Sequence, residues 1–365
     1  MIWFIFSLSS LLLIGLITRT SKPRPKLYYQ LALTTVIALF MAYVSPSGTD
    51  HETYCDIYDR TTTFDTDISF MALMAQYAIE PGYLLLNYLG NLAHLSHFGF
   101  FFVVAFITNF FYVKSFERFK SPLLLFLAFV LSESFTQQSN IVRQSIAVAI
   151  FVYSIRFIVE KKHWHYIASV LIGITLHISA ILMLPLVLLC FVDLERYFEP
   201  VKKWLLIVWI ASLAVAAGVI SLGPLYGVLS IFGDSRYASY AEGRNDMGVV
   251  QAFNLFNTLL VAATCLYNYR KDSIYYFLFL LGCIFQNLSY SFGPLMRIAQ
   301  YFIVFAPLYT FTLLPPSCYP SKVSIYIKHL RILIILYFAY KLVFSNILGT
   351  PYLGTETFST VNIFD

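Results

Sequence analysis

The amino-acid sequence predicts an all-helical membrane protein with about twelve transmembrane helices. Hydrophobic residues make up 59% of its 365 residues and charged residues only 12%, and the mean hydropathy is +0.73. A soluble protein of this composition would expose too much apolar surface to water. The bilayer core offers backbone groups no water, and the apolar stretches lack the alternation typical of strands, so we expect these stretches to be helices.

The apolar stretches predict spans at roughly 2–18, 27–44, 98–113, 122–138, 141–158, 166–178, 179–192, 204–222, 249–268, 274–291, 297–314 and 329–346. Several are shorter than the roughly 20 residues that a straight span needs, which indicates tilted or broken helices. An even number of spans places both termini on the same side. No linker rich in Gly, Ser or Pro interrupts the chain, so residues 1–365 are expected to form one integral membrane domain.

The basic residues orient these spans. Of the 24 Lys and Arg residues, 18 fall in links on one side, which the positive-inside rule assigns to the cytoplasm. The opposite, outer side holds five basic residues, all of them arginines: Arg60, Arg143, Arg236, Arg244 and Arg297. The net charge of +5 therefore follows from the cytoplasmic links and does not indicate a nucleic-acid partner.

Two long loops are predicted on the outer side. The first, 45–97, is expected to contain amphipathic helices. One of them follows Pro81, with Leu85 and Leu89 on one face and Asn87 and Asn91 on the other, and is expected to lie at the membrane interface. The second loop, 223–248, mixes acids, arginines and tyrosines, a composition that suits a sugar or a lipid headgroup. A solvated loop explains that composition equally well.

Two arginines carry the strongest chemical signal. Arg143 and Arg297 each stand at the outer start of an apolar helix. A helix N-terminus carries partial positive charge, and a guanidinium presents a fork of donors that fits phosphate oxygens. Both residues are therefore predicted to bind phosphate. The alternative is an arginine whose side chain reaches to lipid headgroups.

Four residues are candidates for proton transfer. Asp50 and Glu52 are two apart on a segment expected to be extended, where both carboxylates would point the same way and accept a sugar proton or bind a divalent ion. His177, between two apolar stretches, is either a proton acceptor or a neutral imidazole bonded inside the bundle. Glu80 either serves the chemistry or ends a helix before Pro81.

Other features argue against common kinds of site. The sequence has no CxxC or HExxH motif, so neither structural zinc nor a cofactor is predicted. Arg60 is expected to pair with Asp56 or Asp59 at the surface, and is otherwise a reserve phosphate ligand.

Several motifs, taken in order, resemble one family. These are 48–54 (GTDHETY), 80–83 (EPGY) leading to Asn87, 143–144 (RQ) leading to Ala147, 176–181 (LHISAI) and 297–302 (RIAQYF). The pattern resembles the EpsG-like branch of the Wzy-type polysaccharide polymerases over residues 45 to 305. The resemblance implies a fold related to the GT-C glycosyltransferases, with about twelve transmembrane helices in the bacterial inner membrane, an active site facing the periplasm and both termini periplasmic.

The resemblance also implies a reaction. Such enzymes polymerise oligosaccharide repeat units carried on undecaprenyl pyrophosphate, which serve as both donor and acceptor, and they release undecaprenyl pyrophosphate. The pyrophosphate ligands would be Arg143 and Arg297, with Arg60 in reserve, and the base would be Asp50 or His177, with Glu52 and Glu80 as further acid–base candidates. Further partners would be membrane lipids and a chain-length regulator, but no metal is required. The predicted substrate-binding residues are Tyr54, Tyr83, Asn87, Gln144, Tyr301, Arg236 and Arg244.

Other functions remain open at this point. A GT-C transferase that uses a polyprenyl-phosphate sugar would explain the acids at 50–52, and it would add one sugar with Mg²⁺ or Mn²⁺. A flippase or another transporter of lipid-linked glycans would favour internal repeats and ionisable residues at mid-membrane, whereas here they gather near the outer ends of spans. An O-antigen ligase differs from a polymerase only in its acceptor.

Overall fold

A computed structural model describes residues 26–48, 50–61, 74, 79–119, 125–126, 129–130, 132–194, 196–217, 273–289 and 291–305. These residues fall into two compact units. The described residues up to Cys190 belong to the first unit, and those from Phe191 to 305 belong to the second. Each unit is described by itself.

The described residues of the first unit form helices and short turns. Its helices are α1 (Lys26–Val44), α2 (His51–Arg60), α3 (Pro81–Leu92), α4 (His97–Phe116), α5 (Glu133–Thr136), α6 (Val142–Val159) and α7 (His163–Leu176). Short 3-10 turns lie at Ser45–Ser47 and Gln137–Ser139, and a long 3-10 helix covers Ile178–Cys190. The described residues contain no strand, so the predicted all-helical class is confirmed for them. The count of twelve spans stays a prediction.

Helix α6 lies at the centre of the first unit and packs against both α4 and α7. Its residues are apolar nearly all round, and Ile146, Ala149 and Ile155 are fully buried. A helix that is hydrophobic on every side needs neighbours or lipid on every side. Among the described helices, α4 and α6 are the two that are long and apolar enough to cross a membrane.

The helical conformation is interrupted at His177, between α7 and the 3-10 helix. His177 has an extended backbone, with φ −158° and ψ 121°, and the next residues continue as a 3-10 helix that contains Pro185. Proline lacks a backbone N–H and disrupts regular α-helix hydrogen bonding. The sequence predicted two successive spans that meet between residues 178 and 179, and the structure places the break one residue earlier.

Helix α3 exposes its apolar face. Leu85, Tyr88, Leu89 and Leu92 form one stripe whose members are 40 to 64% exposed, whereas Asn87 on the other side is fully buried. The Asn87 side of this helix is therefore turned into the protein and the leucine stripe is turned away from it. At about 18 Å, twelve residues are too short to cross a bilayer core of about 30 Å, so the helix suits a position at the membrane interface.

The second unit contains α8 (Phe198–Ala216), α9 (Ser273–Ser289) and α10 (Leu295–Ile303). Helices α9 and α10 pack closely at Gly282, where a Cβ would lie 2.8 Å from the backbone carbon of Phe302. Asn287 of α9 donates a buried hydrogen bond of 2.8 Å from Nδ2 to Ser212 Oγ of α8.

The predicted spans agree with the described helices wherever the two overlap in full. The spans at 2–18, 249–268 and 329–346 and the loop at 223–248 lie outside the described residues. The spans at 122–138, 204–222, 274–291 and 297–314 are described only in part. The prediction of a single domain stays a prediction.

Candidate functional site

An ion pair joins two predicted site residues of the first unit. Nη1 of Arg143, in the first turn of α6, lies 2.7 Å from Oε2 of Glu80, which directly precedes α3. The two side chains are 20% and 11% exposed, so water screens the pair only partly. Glu80 therefore holds the Arg143 guanidinium at the start of a helix that is long enough to cross a membrane.

The same carboxylate also contacts a third segment. Oε1 of Glu80 accepts a hydrogen bond of 2.9 Å from the backbone N–H of Ile178, the first residue of the 3-10 helix. This N–H has no partner within its own helix, as expected at a helix start. Glu80 thus connects the start of α3, the start of α6 and the start of the 3-10 helix that follows His177.

A glycine allows this close approach. A Cβ on Gly82 would lie 2.7 Å from the backbone oxygen of Thr175, which is closer than real Cβ atoms come to other atoms. Gly82 therefore lets α3 pack directly against the end of α7. The backbone at this point positions Glu80 two residues before it.

Two tyrosines pack next to the ion pair. Tyr54 of α2 is buried, forms a hydrogen bond with Arg143, and directs its hydroxyl to the backbone oxygen of Asn140 at 3.4 Å. Tyr83 of α3 is fully buried, and its ring centroid is 5.9 Å from that of Tyr54. Burial raises the pKa of Tyr83 well above its usual range, so this phenol stays protonated and can act as a donor but not as a base.

His177 is buried, and its imidazole forms hydrogen bonds with Ser179, two residues later in the chain. The backbone N–H of Ser179 donates to Nδ1 of His177 at 3.3 Å, and the Ser179 hydroxyl lies 2.6 Å from the same nitrogen. Because a backbone N–H can only donate, Nδ1 is the acceptor and the ring proton sits on Nε2. For Nδ1 to accept a proton from a substrate, these contacts with Ser179 would have to break.

The predicted geometry of Asp50 and Glu52 is wrong. The segment is not extended, because α2 begins at His51, with Asp50 at its N-cap and Glu52 in its first turn. Residues two apart on a helix are separated by about 200°, so the two exposed carboxylates point in different directions. Both acids are favoured there by the partial positive charge of the helix start. Their separate roles in the reaction stay predictions.

His51, between these two acids, is a residue that the sequence analysis missed. Its Nδ1 lies 2.9 Å from Ser45 Oγ, its Nε2 lies 3.4 Å from Cys55 Sγ, and its ring packs against Phe101 with centroids 4.8 Å apart. Burial lowers the pKa of His51, and the nearby His97 lowers it further. The spacing of four residues between His51 and Cys55 was the available signal.

The remaining predicted residues lie at varied positions. Arg60 pairs with Asp56 at 2.9 Å on the surface, which is one of its two predicted partners. Asn87 and Gln144 are buried in the first unit, and Asn87 donates to the Tyr83 backbone oxygen at 2.7 Å. In the second unit, the first turn of α10 contains the exposed Arg297. Tyr301 of the same helix is fully buried. Two further predicted substrate-binding residues, Arg236 and Arg244, lie outside the described residues.

These positions define a candidate site in the first unit, which we call the Glu80–Arg143 cluster. Its members are Tyr54, Glu80, Tyr83, Arg143 and the backbone of Ile178 next to His177. The cluster offers a guanidinium with phenol donors beside it, a combination that suits an anionic oxygen ligand. Within the described part of the chain, no three His, Cys, Asp or Glu residues are grouped in a way that would hold a metal ion.

Comparison with known proteins gives a match to a protein family. The model of the EpsG family matches residues 27–353, which is most of the chain. No curated protein and no solved structure matches the chain.

Proposed function

Because the chain belongs to the EpsG family, we propose that this membrane protein is a glycosyltransferase that polymerises oligosaccharide repeat units linked to undecaprenyl pyrophosphate. The family indicates a polymerase-like role in polysaccharide biosynthesis. The lipid carrier, the leaving group and the side of the membrane are parts of the proposal. The product would be an O-antigen or an exopolysaccharide.

In the proposed reaction, a hydroxyl oxygen of one lipid-linked unit attacks the anomeric carbon at the reducing end of another. A new glycosidic bond forms, the bond from that carbon to the pyrophosphate oxygen breaks, and undecaprenyl pyrophosphate leaves with the bonding electrons. The hydroxyl proton passes to a base. Negative charge grows on the pyrophosphate in the transition state, so a positioned cation stabilises that state more than the ground state.

The observation that carries this proposal is the position of Arg143. Its guanidinium is held by Glu80 at 2.7 Å at the start of α6, with a hydrogen bond to Tyr54. A preorganised guanidinium loses less freedom on binding than a mobile one. An arriving pyrophosphate would compete with Glu80 for Arg143, since both ligands present anionic oxygens.

That competition makes Glu80 the base that we favour among the described candidates. When phosphate oxygens take over Arg143, the Glu80 carboxylate is released next to the reacting groups, where it can accept the hydroxyl proton. Asp50 and Glu52 point in different directions at the surface, and Nδ1 of His177 is engaged by Ser179. The role of Arg297 in binding phosphate stays a prediction from the sequence.

We further propose the placement in the cell. The distribution of Lys and Arg supports a multi-pass protein with its active site and both termini on the outer side of the membrane. The family resemblance implies that this membrane is the bacterial inner membrane, so that the outer side is the periplasm. A GT-C-like arrangement of about twelve spans follows from the family resemblance. The partners would be two lipid-linked glycans, membrane lipids and a chain-length regulator.

Complementation of a deletion strain tests the proposal. Wild-type protein should restore a ladder of long glycan chains, and Arg143→Ala should give only a single capped repeat unit. Arg143→Lys keeps the charge but loses the guanidinium fork, so it should give short chains. Arg196→Ala, which removes an exposed arginine of the second unit, is the matched control and should restore the full ladder. Immunoblots of membranes check that each variant is inserted.

The same experiment separates the other functions. Full-length polymer from membrane-inserted Arg143→Ala would overturn the role of this residue. Loss of all surface glycan with accumulation of cytoplasmic precursors in the deletion strain would identify a flippase. Addition of one sugar in a reaction that requires Mg²⁺ or Mn²⁺ would identify a GT-C transferase that uses a polyprenyl-phosphate sugar.

A further inference from the structure

The end of α6 opposite to Arg143 gathers positive charge around one carboxylate. Oε1 of Glu160 lies 3.0 Å from Nη2 of Arg118, and its Oε2 lies 2.9 Å from Nζ of Lys162. Arg156, one helical turn earlier, also interacts electrostatically with Glu160. Three cations around one anion leave an excess of two positive charges, and we call these four residues the basic cluster.

Arg156 is held by aromatic rings. The centre of its guanidinium lies 4.8 Å from the ring of Tyr153 and 5.1 Å from the ring of Phe157, and its Nη1 donates to the Tyr153 hydroxyl at 2.8 Å. Its buried Nε has no hydrogen-bond partner among the described residues. Stacking fixes the guanidinium near the helix end without neutralising its charge.

Exposed apolar side chains border the basic cluster. Val159 is 49% exposed at the end of α6, and Trp164 is 71% exposed in the first turn of α7. Leu188 is 63% exposed, and Lys161 reaches the neighbouring Leu189 backbone oxygen at 3.1 Å, which brings the two segments together. Tryptophan with an apolar surface beside it is typical of the level at which membrane headgroups meet acyl chains.

From these observations we propose that the basic cluster binds the phosphodiester headgroup of an anionic phospholipid, whose acyl chains pack against Val159, Trp164 and Leu188. Basic pockets between helix ends on the Lys- and Arg-rich side of a membrane protein suit such headgroups. A soluble anion would make no use of the apolar border. A zwitterionic lipid would bring a positive group into a cluster that already has an excess of positive charge.

Glu160 gives this proposal its sharpest test. The hydrogen bond from Lys162 and the charges of Arg118 and Arg156 hold the pKa of Glu160 below its usual range, so its carboxylate is ionised at neutral pH and competes with the headgroup. Glu160→Gln removes the competing charge and should therefore tighten binding. A substitution that merely damages the fold would not do so.

The experiment uses the purified full-length protein in detergent. Phosphatidylglycerol and phosphatidylcholine with identical acyl chains are titrated in, and bound lipid is measured by native mass spectrometry. Wild-type protein should prefer phosphatidylglycerol. Arg118→Ala and Lys162→Ala should each weaken its binding about five-fold, whereas Glu160→Gln should strengthen it by a similar factor. Lys203→Ala removes an exposed cation of the second unit that is not part of the basic cluster, and it should leave binding unchanged.

Several results would overturn the proposal. Equal binding of the two lipids would do so, as would weaker binding of phosphatidylglycerol by Glu160→Gln. So would a loss of phosphatidylglycerol binding in Lys203→Ala as large as the loss in Arg118→Ala. Displacement of phosphatidylglycerol by millimolar inorganic phosphate alone would show a site for a soluble anion. Because the readout is lipid binding, the outcome does not depend on the proposed polymerase activity.

Discussion

The coupling between Glu80 and Arg143 can be measured with a double-mutant cycle on the free energy of unfolding. Glu80→Ala removes both the 2.7 Å contact with Arg143 and the 2.9 Å hydrogen bond from the Ile178 N–H. Arg143→Ala removes the first contact and the hydrogen bond with Tyr54, and it leaves the second. Each single variant therefore loses the shared ion pair together with one further hydrogen bond.

The degree of burial sets the size of the effect. Surface ion pairs contribute about 0–1 kcal/mol, whereas breaking a buried pair costs about 3–5 kcal/mol. With 20% and 11% exposure, this pair lies between these limits, so its loss should cost about 2 kcal/mol. A hydrogen bond to a charged group adds about 1.5 kcal/mol or more, so Glu80→Ala and Arg143→Ala should each cost about 3–4 kcal/mol.

The assay is reversible unfolding of purified protein in mixed detergent micelles, with Arg196→Ala as the control variant. The double variant Glu80→Ala/Arg143→Ala should lose about 1–2 kcal/mol less than the sum of the two single losses, because the shared contact is counted twice in that sum. Simple additivity, with a coupling below about 0.3 kcal/mol, would refute the argument that this ion pair joins the start of α3 to the start of α6.

Three further predictions concern other residues. Gly82→Ala should destabilise the fold by about 1–3 kcal/mol because its Cβ would meet Thr175, whereas Gly99→Ala, where the nearest contact is an ordinary 3.4 Å, should be close to neutral in the same unfolding assay. Burial lowers the pKa of His51 below 6.5. As the pH falls, the imidazole of His51 is therefore protonated in the unfolded chain before it is protonated in the folded protein. The melting temperature should then fall as the pH drops below 6.5, and less steeply in His51→Gln; equal slopes would exclude His51 as a cause. Arg297→Ala should yield single capped repeat units in the complemented deletion strain, and a full ladder would exclude it from phosphate binding.

The sequence predicted the helices better than their contacts. Long apolar runs bounded by charges defined α4 and α6 to within three residues, since the predicted spans at 98–113 and 141–158 correspond to His97–Phe116 and Val142–Val159. The faces of α3 followed from the spacing of its leucines and asparagines. Helix periodicity depends on neighbours along the chain, and those are visible in the sequence.

The pairing of Glu80 with Arg143 was not visible in this way. Both residues were candidates on chemical grounds, but they are 63 positions apart and are brought together by the packing of α3 against α7 and of α7 against α6. The prediction for Asp50 and Glu52 is wrong because a helix, and not an extended segment, follows the turn at Ser45–Ser47. The buried Tyr54, Ile57 and Tyr58, at positions i, i+3 and i+4, were the helical signal there.

The most direct test of the proposed function uses purified protein and a synthetic repeat unit on undecaprenyl pyrophosphate. The account predicts that one undecaprenyl pyrophosphate is released for each glycosidic bond formed, and that Arg143→Ala slows both processes together at least about 100-fold, as expected when a donor to a developing anion is lost. Polymer formation without release of the lipid pyrophosphate, or at the wild-type rate in folded Arg143→Ala, would contradict it.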